Sequence, residues 1–300
     1  MTSIETIVYH ITEVVFRLLG LIPLKWISTV AGPIVRLMFL VDRKHRRIAL
    51  DNLTSAFGCE KKPHEIEVLA KRVFKNLARI VFEVGWSLRL KRKDLDKFFS
   101  VEGLSRLENA YQKDKGVLVL TAHFGNWELL TIIAAMTGYP TSIVVRPLDF
   151  APLEAFFKRL RTRFGGKLIG KNSMREVLGS LKQKNMIGLL MDQNVDWYEG
   201  VFVDFFGHTA CTSKGLALLA LKTKTPVVPL FLVRGKSGFK AEIGHEVQLI
   251  KTGDMRKDIE ANTKQYNNII ESIIRRYPDQ WFWVHQRWKT RSSYPWPRQG

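Results

Sequence analysis

His123 follows the apolar, β-branched run Val117-Leu118-Val119-Leu120-Thr121 and precedes Glu128 by five positions. Imidazole is the side chain that exchanges a proton near neutral pH, and a neighbouring carboxylate can fix its tautomer and stabilise the cation it becomes. A hydroxyl held against such a histidine becomes nucleophilic. On spacing alone, a histidine near a strand end with a glutamate five residues on is more commonly structural, so the pair needs other support.

Two more strand ends supply it. The apolar stretch 141–145 ends at Arg146-Pro147, and the stretch 187–191 ends at Asp192-Gln193-Asn194. Arg146 is permanently cationic and suits an oxyanion or a phosphate. Asp192 suits the orientation of either Arg146 or His123.

The elements that must position these residues read as alternating strands and helices from about residue 100 onward. Gly125 permits a sharp turn after His123, Asn126 is placed to cap a helix, and 127–137 continues as an apolar helix that starts beside Glu128. Further helices are predicted at 103–113, 150–164, 173–184, 213–223 and 255–275. Strands are predicted at 117–121, 141–145, 187–191, 226–233 and, as an edge, 240–249. The fold class is therefore α/β, a mostly parallel central sheet flanked by helices, whose ligands collect at the carboxyl ends of the strands. Helices at 44–57 and 64–90 precede this region.

The first 41 residues are mostly apolar, but Glu13, Arg17, Lys25 and Arg36 interrupt them and Pro23 and Pro33 punctuate them. The longest uncharged stretches fall short of the roughly 20 residues of a clean membrane span. No basic n-region marks a cleaved signal peptide. A broken anchor or helices lying in the interface fit this segment better. The domain reading is a membrane-associating segment over 1–41 and one catalytic domain over 42–300. The cluster Arg43-Lys44-His45-Arg46-Arg47 beside the apolar segment suits an anionic membrane surface.

Lys and Arg number 47 against 28 Asp and Glu, a formal charge of +19, and 46% of residues are hydrophobic, which excludes a disordered chain and calls for an anionic partner. Two distant cysteines, Cys59 and Cys211, exclude a disulfide framework. No HExxH, CxxC, P-loop or G-x-S-x-G pattern is present, so metal, Walker-type phosphoryl and serine-elbow chemistry have no sequence support. The stretch 197–214 is aromatic and glycine-punctuated, and reads as an apolar channel wall, a lid or core. Residues 281–291 interleave aromatics with cations, as suits a membrane interface, a phosphorylated ligand or stacked bases.

His123-Phe124-Gly125-Asn126-Trp127-Glu128 resembles the signature of the lysophospholipid acyltransferase superfamily. Val145-Arg146-Pro147, Met191-Asp192-Gln193, Asp204-Phe205-Phe206-Gly207 and Trp283-Val284-His285-Gln286-Arg287-Trp288-Lys289 narrow the resemblance to the bacterial lipid A late-acyltransferase family. The resemblance implies transfer of a fatty acyl chain from acyl carrier protein or acyl-CoA to a hydroxyl of a membrane glycolipid. No further cofactor, metal or nucleic acid is implied, and the site would face the cytoplasm at the bacterial inner membrane. His123 would be the general base, Glu128 its orienter, Arg146 an oxyanion or phosphate contact and Asp192 its support. Gly125, Asn126, Gln193, Phe205, Phe206 and Arg287 would meet the substrate. Another lipid acceptor is the alternative within this class. A non-catalytic protein that binds anionic lipid or nucleic acid is the alternative outside it, and it leaves the three strand ends without a purpose.

Overall fold

A computed structural model describes residues 2–292; residues 293–300, at the end of the expected catalytic domain, lie outside the described residues. The chain opens with four helices, α1 (Ser3–Leu19), α2 (Leu24–Val41), α3 (Arg43–Phe57) and α4 (Pro63–Ser87). Thr2 and Glu5 close a capping box at the start of α1. Ile27, Ala31, Val35 and Phe39 recur every fourth residue along α2 and are buried, a ridge that packs on α4. The outer faces are apolar as well: Ile4, Ile7, Ile11 and Leu18 on α1 and Trp26, Ile34, Leu37 and Leu40 on α2 are exposed. Among the described residues α2 is the one helix long and apolar enough to cross a membrane, by length and composition. Its 18 residues reach about 27 Å against a hydrocarbon layer of about 30 Å.

The α/β region follows with α5 (Leu95–Phe98), β1 (Phe99–Glu102), α6 (Leu104–Tyr111) and β2 (Val117–Thr121), then a 3₁₀ turn at Trp127–Leu129 and α7 (Leu130–Thr137). Next come β3 (Thr141–Val145), α8 (Ala151–Thr162), β4 (Lys167–Gly170), α9 (Met174–Lys182) and β5 (Met186–Leu190). A hairpin of β6 (Gly200–Phe205) and β7 (His208–Ser213) leads to α10 (Gly215–Thr223), β8 (Val227–Arg234), β9 (Phe239–Ile243) and α11 (Met255–Arg276).

Seven strands form one sheet in the order β1-β9-β8-β2-β5-β3-β4. β8, β2, β5, β3 and β4 run parallel, and only the β8–β9 pairing is antiparallel. The expected mostly parallel α/β sheet is what forms. Every residue of β2 and of β8 is buried, as near-continuous apolar runs in a sheet covered on both faces should be. The short strands β1 and β4 and the β6–β7 hairpin add to the expected elements, and the strand expected as an edge at 240–249 spans Phe239–Ile243 and is not an edge, because β1 pairs with its outer side.

The register of β2 on β5 sets Thr121 opposite Leu190. His123 and Asp192 each lie two residues beyond that pair, so the sheet delivers them side by side. β2 is also where the chain changes direction across the sheet, with β5, β3 and β4 to one side and β8 to the other, the place where open α/β sheets collect ligands.

Candidate active site

The turn after β2 has little freedom. Gly125 adopts φ +60°, and a Cβ there would collide with the carbonyl oxygen of Leu232. Two backbone bonds from the segment after α11 cross it: Gly125 N–H donates to Gln280 O at 2.9 Å, and Phe282 N–H donates to His123 O at 3.1 Å. His123 is thus fixed by its backbone on both sides.

The carboxylate that orients the ring is Asp192. Its Oδ1 lies 2.9 Å from His123 Nδ1, and its Oδ2 accepts the His123 backbone N–H at 3.1 Å and the Trp281 indole N–H at 2.7 Å. Burial pushes this carboxyl up, but the His123 charge, the bonds from both His123 groups and the bond from Trp281 together hold it below the usual aspartate value. Asp192 is 1% exposed, whereas the His123 side chain keeps 20% of its surface. The ring stands between Trp127, with centroids 5.2 Å apart, and Phe282, at 6.0 Å. Among the described residues its Nε2 has no hydrogen-bond partner, so one nitrogen is held by a buried carboxylate and the other is left for a substrate.

Glu128 does not take the orienting role expected of it. The 3₁₀ turn at Trp127–Leu129 carries its side chain toward α8, where Arg161 grips it through Nε–Oε2 and Nη2–Oε1 bonds of 2.8 Å each. Its Oε1 also accepts the Trp127 indole N–H at 3.1 Å. Glu128 therefore meets His123 only through the Trp127 ring. Arg146 leaves the end of β3, two strands away from β2, with its side chain 74% exposed and 3.3 Å from Asp149, so Asp192 supports the histidine and not this arginine.

The expected substrate contacts divide. Gln193 is half-buried beside Asp192, and Gly125 holds the turn with its N–H already committed to Gln280. Asn126 makes no side-chain cap; it is fully buried and donates to Glu83 Oε2 at 3.1 Å, behind the turn. There Glu83 and Arg234 form a buried two-bond ion pair at 2.6 Å, which ties α4 to β8. Phe205 and Phe206 are 1% and 5% exposed and pack with Trp281, Trp283 and Trp288, so these two rings are core and line no open channel, whereas Tyr198 of the same stretch is exposed. Arg287 is fully buried, donates to Cys211 O at 2.9 Å and stacks 4.8 Å from the Phe205 ring. Burial pushes its guanidinium down to about 10. It braces the β6–β7 hairpin and offers nothing to a substrate.

Sequence reasoning missed Trp281 and Arg161. Trp281 stood inside an aromatic and basic segment read as an interface, and Arg161 inside the basic run 158–163. His285, in the same C-terminal motif, accepts the Asn194 N–H on Nε2 at 2.7 Å, just beyond Asp192, and burial pushes its imidazole down to about 4.

No serine or cysteine among the described residues bonds to the His123 ring, so a hydroxyl activated here arrives on a substrate. Such an arrangement, at the carboxyl end of a parallel sheet, is what an α/β transferase acting on a substrate hydroxyl requires. The family model for bacterial lipid A biosynthesis acyltransferases matches residues 2–290, so the chain belongs to that family and is an acyltransferase. It is 28% identical over 252 residues to the lipid A biosynthesis palmitoleoyltransferase of Escherichia coli (strain K12), covering 83% of this chain and 80% of that protein. A lipid A biosynthesis acyltransferase of Haemophilus influenzae (strain ATCC 51907 / DSM 11121 / KW20 / Rd) is 27% identical, covering 84% and 78%. The lipid A biosynthesis lauroyltransferase of Escherichia coli (strain K12) is 23% identical, covering 83% and 80%.

Proposed function

We propose that the protein transfers a fatty acyl chain from an acyl thioester, on acyl carrier protein or coenzyme A, to a hydroxyl of a lipid A precursor or a related membrane glycolipid. The observation that carries the mechanism is the Asp192–His123 pair at 2.9 Å, with the far ring nitrogen open. Asp192 accepts the hydrogen bond of Nδ1–H, which leaves Nε2 unprotonated as the base. Nε2 takes the proton of the acceptor hydroxyl as its oxygen attacks the thioester carbonyl. The tetrahedral intermediate collapses with cleavage of the C–S bond, and the imidazolium returns its proton to the departing thiolate. No acyl-enzyme is needed. Removing the base should cost about 10²- to 10⁴-fold.

The other charged groups fit the same reaction. Glu128 fixes Arg161 and Trp127, and Trp127 walls the imidazole; Arg146, exposed on the same rim, suits a phosphate on an incoming substrate. The apolar outer faces of α1 and α2 and the charge of +19 support attachment to an anionic membrane with the rim near its surface, on the cytoplasmic side of the bacterial inner membrane. An acidic carrier protein would meet the same positive surface.

The test is transfer of radiolabelled acyl chains from acyl carrier protein to isolated bacterial lipids. His123→Ala should lose at least about 10²-fold of the transfer rate while remaining folded by circular dichroism at the assay temperature, and mass spectrometry of the product identifies the acceptor. Undiminished transfer by His123→Ala would sink the mechanism. A product acylated on a lysophospholipid or an aminolipid, and not on a glycolipid, would overturn the acceptor.

A further inference from the structure

A cleft of about 630 Å³ lies between α2, α3 and α4, lined in part by Phe39, Leu40, Leu50, Ile66 and Lys61. Its charged groups are Arg46, Lys61, Lys71 and Glu67, three cations to one carboxylate. Arg46 donates to Phe39 O at 2.8 Å, and its guanidinium lies 5.5 Å from the Phe39 ring; the Lys71 ammonium lies 5.7 Å from the same ring. Two like charges therefore stand against one aromatic ring. One carboxylate faces both cations: Glu67 contacts Lys71 at 2.7 Å, and Arg46 also helps to hold its carboxyl below the usual value. Lys61, 5.8 Å from the Phe57 ring, has no carboxylate among the other residues lining the cleft within ion-pair distance. Arg43, Lys44 and Arg47 are exposed on the adjoining first turns of α3, where Asp42 is occupied by His45.

The apolar half of the cleft indicates what kind of anion belongs there. Leu40 is 65% exposed and lines the cleft, and it also continues the outer apolar face of α2 formed by Leu37 at 63% and Val41 at 70%. A chain lying along that face enters the cleft without crossing a polar barrier. A free phosphate would use the cations and leave the leucines wet. An amphiphile satisfies both halves.

We propose that this cleft binds one anionic membrane phospholipid, its phosphate between Lys61 and Lys71 and its acyl chain along Leu40. The cleft is formed by the N-terminal helices and contains no residue of the His123 site, so the proposal stands or falls independently of the acyl-transfer mechanism. The bound lipid would seat α2 on the membrane at a defined depth, with the basic run 42–47 at headgroup level.

The experiment is native mass spectrometry of the full-length protein in a neutral maltoside detergent, with dioleoylphosphatidylglycerol or dioleoylphosphatidylcholine as the probe. The expected result is a one-to-one phosphatidylglycerol adduct at least about tenfold preferred over phosphatidylcholine. Neutralising two lysines should weaken it about 30-fold, at about fivefold for each cation near a lipid headgroup. Lys61→Gln/Lys71→Gln keeps side chains of similar length at a half-buried and an exposed position, and Lys222→Gln/Lys264→Gln, on exposed positions of α10 and α11, is the control. Equal retention of the two lipids by the wild type would overturn the proposal. So would equal loss in the two double variants, or displacement of the adduct by millimolar inorganic phosphate, which would assign a simple anion site.

Discussion

Replacing Asp192 by Asn separates the geometry seen here from a His123–Glu128 dyad. Asp192 Oδ2 accepts two donors, the His123 backbone N–H and the Trp281 indole, and Oδ1 accepts one, His123 Nδ1. An asparagine has a single acceptor oxygen. With that oxygen at the Oδ2 position two hydrogen bonds survive, and with it at the Oδ1 position only one does. The first orientation is therefore favoured by about 1.5 kcal/mol for the extra bond, and more once the repulsion of an amide N–H₂ facing two N–H donors is counted. It turns the amide N–H₂ toward Nδ1, which forces the ring proton onto Nε2 and removes the base from the substrate side. The negative charge that stabilises the imidazolium is lost as well. Together these should lower kcat/KM by about 10³-fold, close to the loss from removing the histidine. In the acyl carrier protein assay Asp192→Asn should fall within a few-fold of His123→Ala, and the double variant should be no worse than His123→Ala alone, because residues acting as a unit are not additive. Glu128→Gln should retain more activity than Asp192→Asn, since its carboxylate faces Arg161 and Trp127. Asp192→Asn with nearly full activity beside an inactive but folded Glu128→Gln would refute the reasoning.

Trp281→Phe keeps the buried ring and removes one donor from the Asp192 carboxylate; a bond to a charged group contributes about 1.5–3 kcal/mol. It should lower kcat by roughly tenfold or more with KM little changed, and an unaltered kcat would show that the indole only packs. Acid should destabilise the fold through His285. Its imidazole protonates near 6.5 when unfolded but only near 4 when folded. The unfolded chain thus binds the extra proton, and stability on the order of 3 kcal/mol is present above the unfolded value and lost as pH falls from about 6.5 to about 4. Urea midpoints across that range should drop more for the wild type than for His285→Gln, and parallel profiles would refute the assignment.

The catalytic strands were legible because β2 and β5 are continuous apolar runs whose polar successors stand at equal offsets from the paired residues Thr121 and Leu190. Which partner Asp192 takes, His123 or Arg146, was left open by the sequence and is decided by the β2–β5 pairing. The pairing with Glu128 was drawn from nearness in the chain, and the 3₁₀ turn at Trp127–Leu129 sends those five-residue neighbours different ways. The four-residue strands β1 and β4 carry too short a pattern to read. Arg287 and the phenylalanines of β6 were misplaced for another reason. Interleaved cations and aromatics look the same at a membrane interface and in a core where each guanidinium finds a carbonyl and a ring. Only the fold showed Cys211 O and Phe205 waiting for Arg287.

The crossing of Gln280 and Phe282 over the turn at His123 also dictates when the enzyme can come into being. β2 and its histidine leave the ribosome long before the segment that clamps them, and Trp281 arrives with that clamp. A nascent chain already resting its N-terminal helices on a membrane would hold the histidine but not its oriented base. A chain cut short before Gln280 should therefore keep its N-terminal helices and its histidine but show no transferase activity.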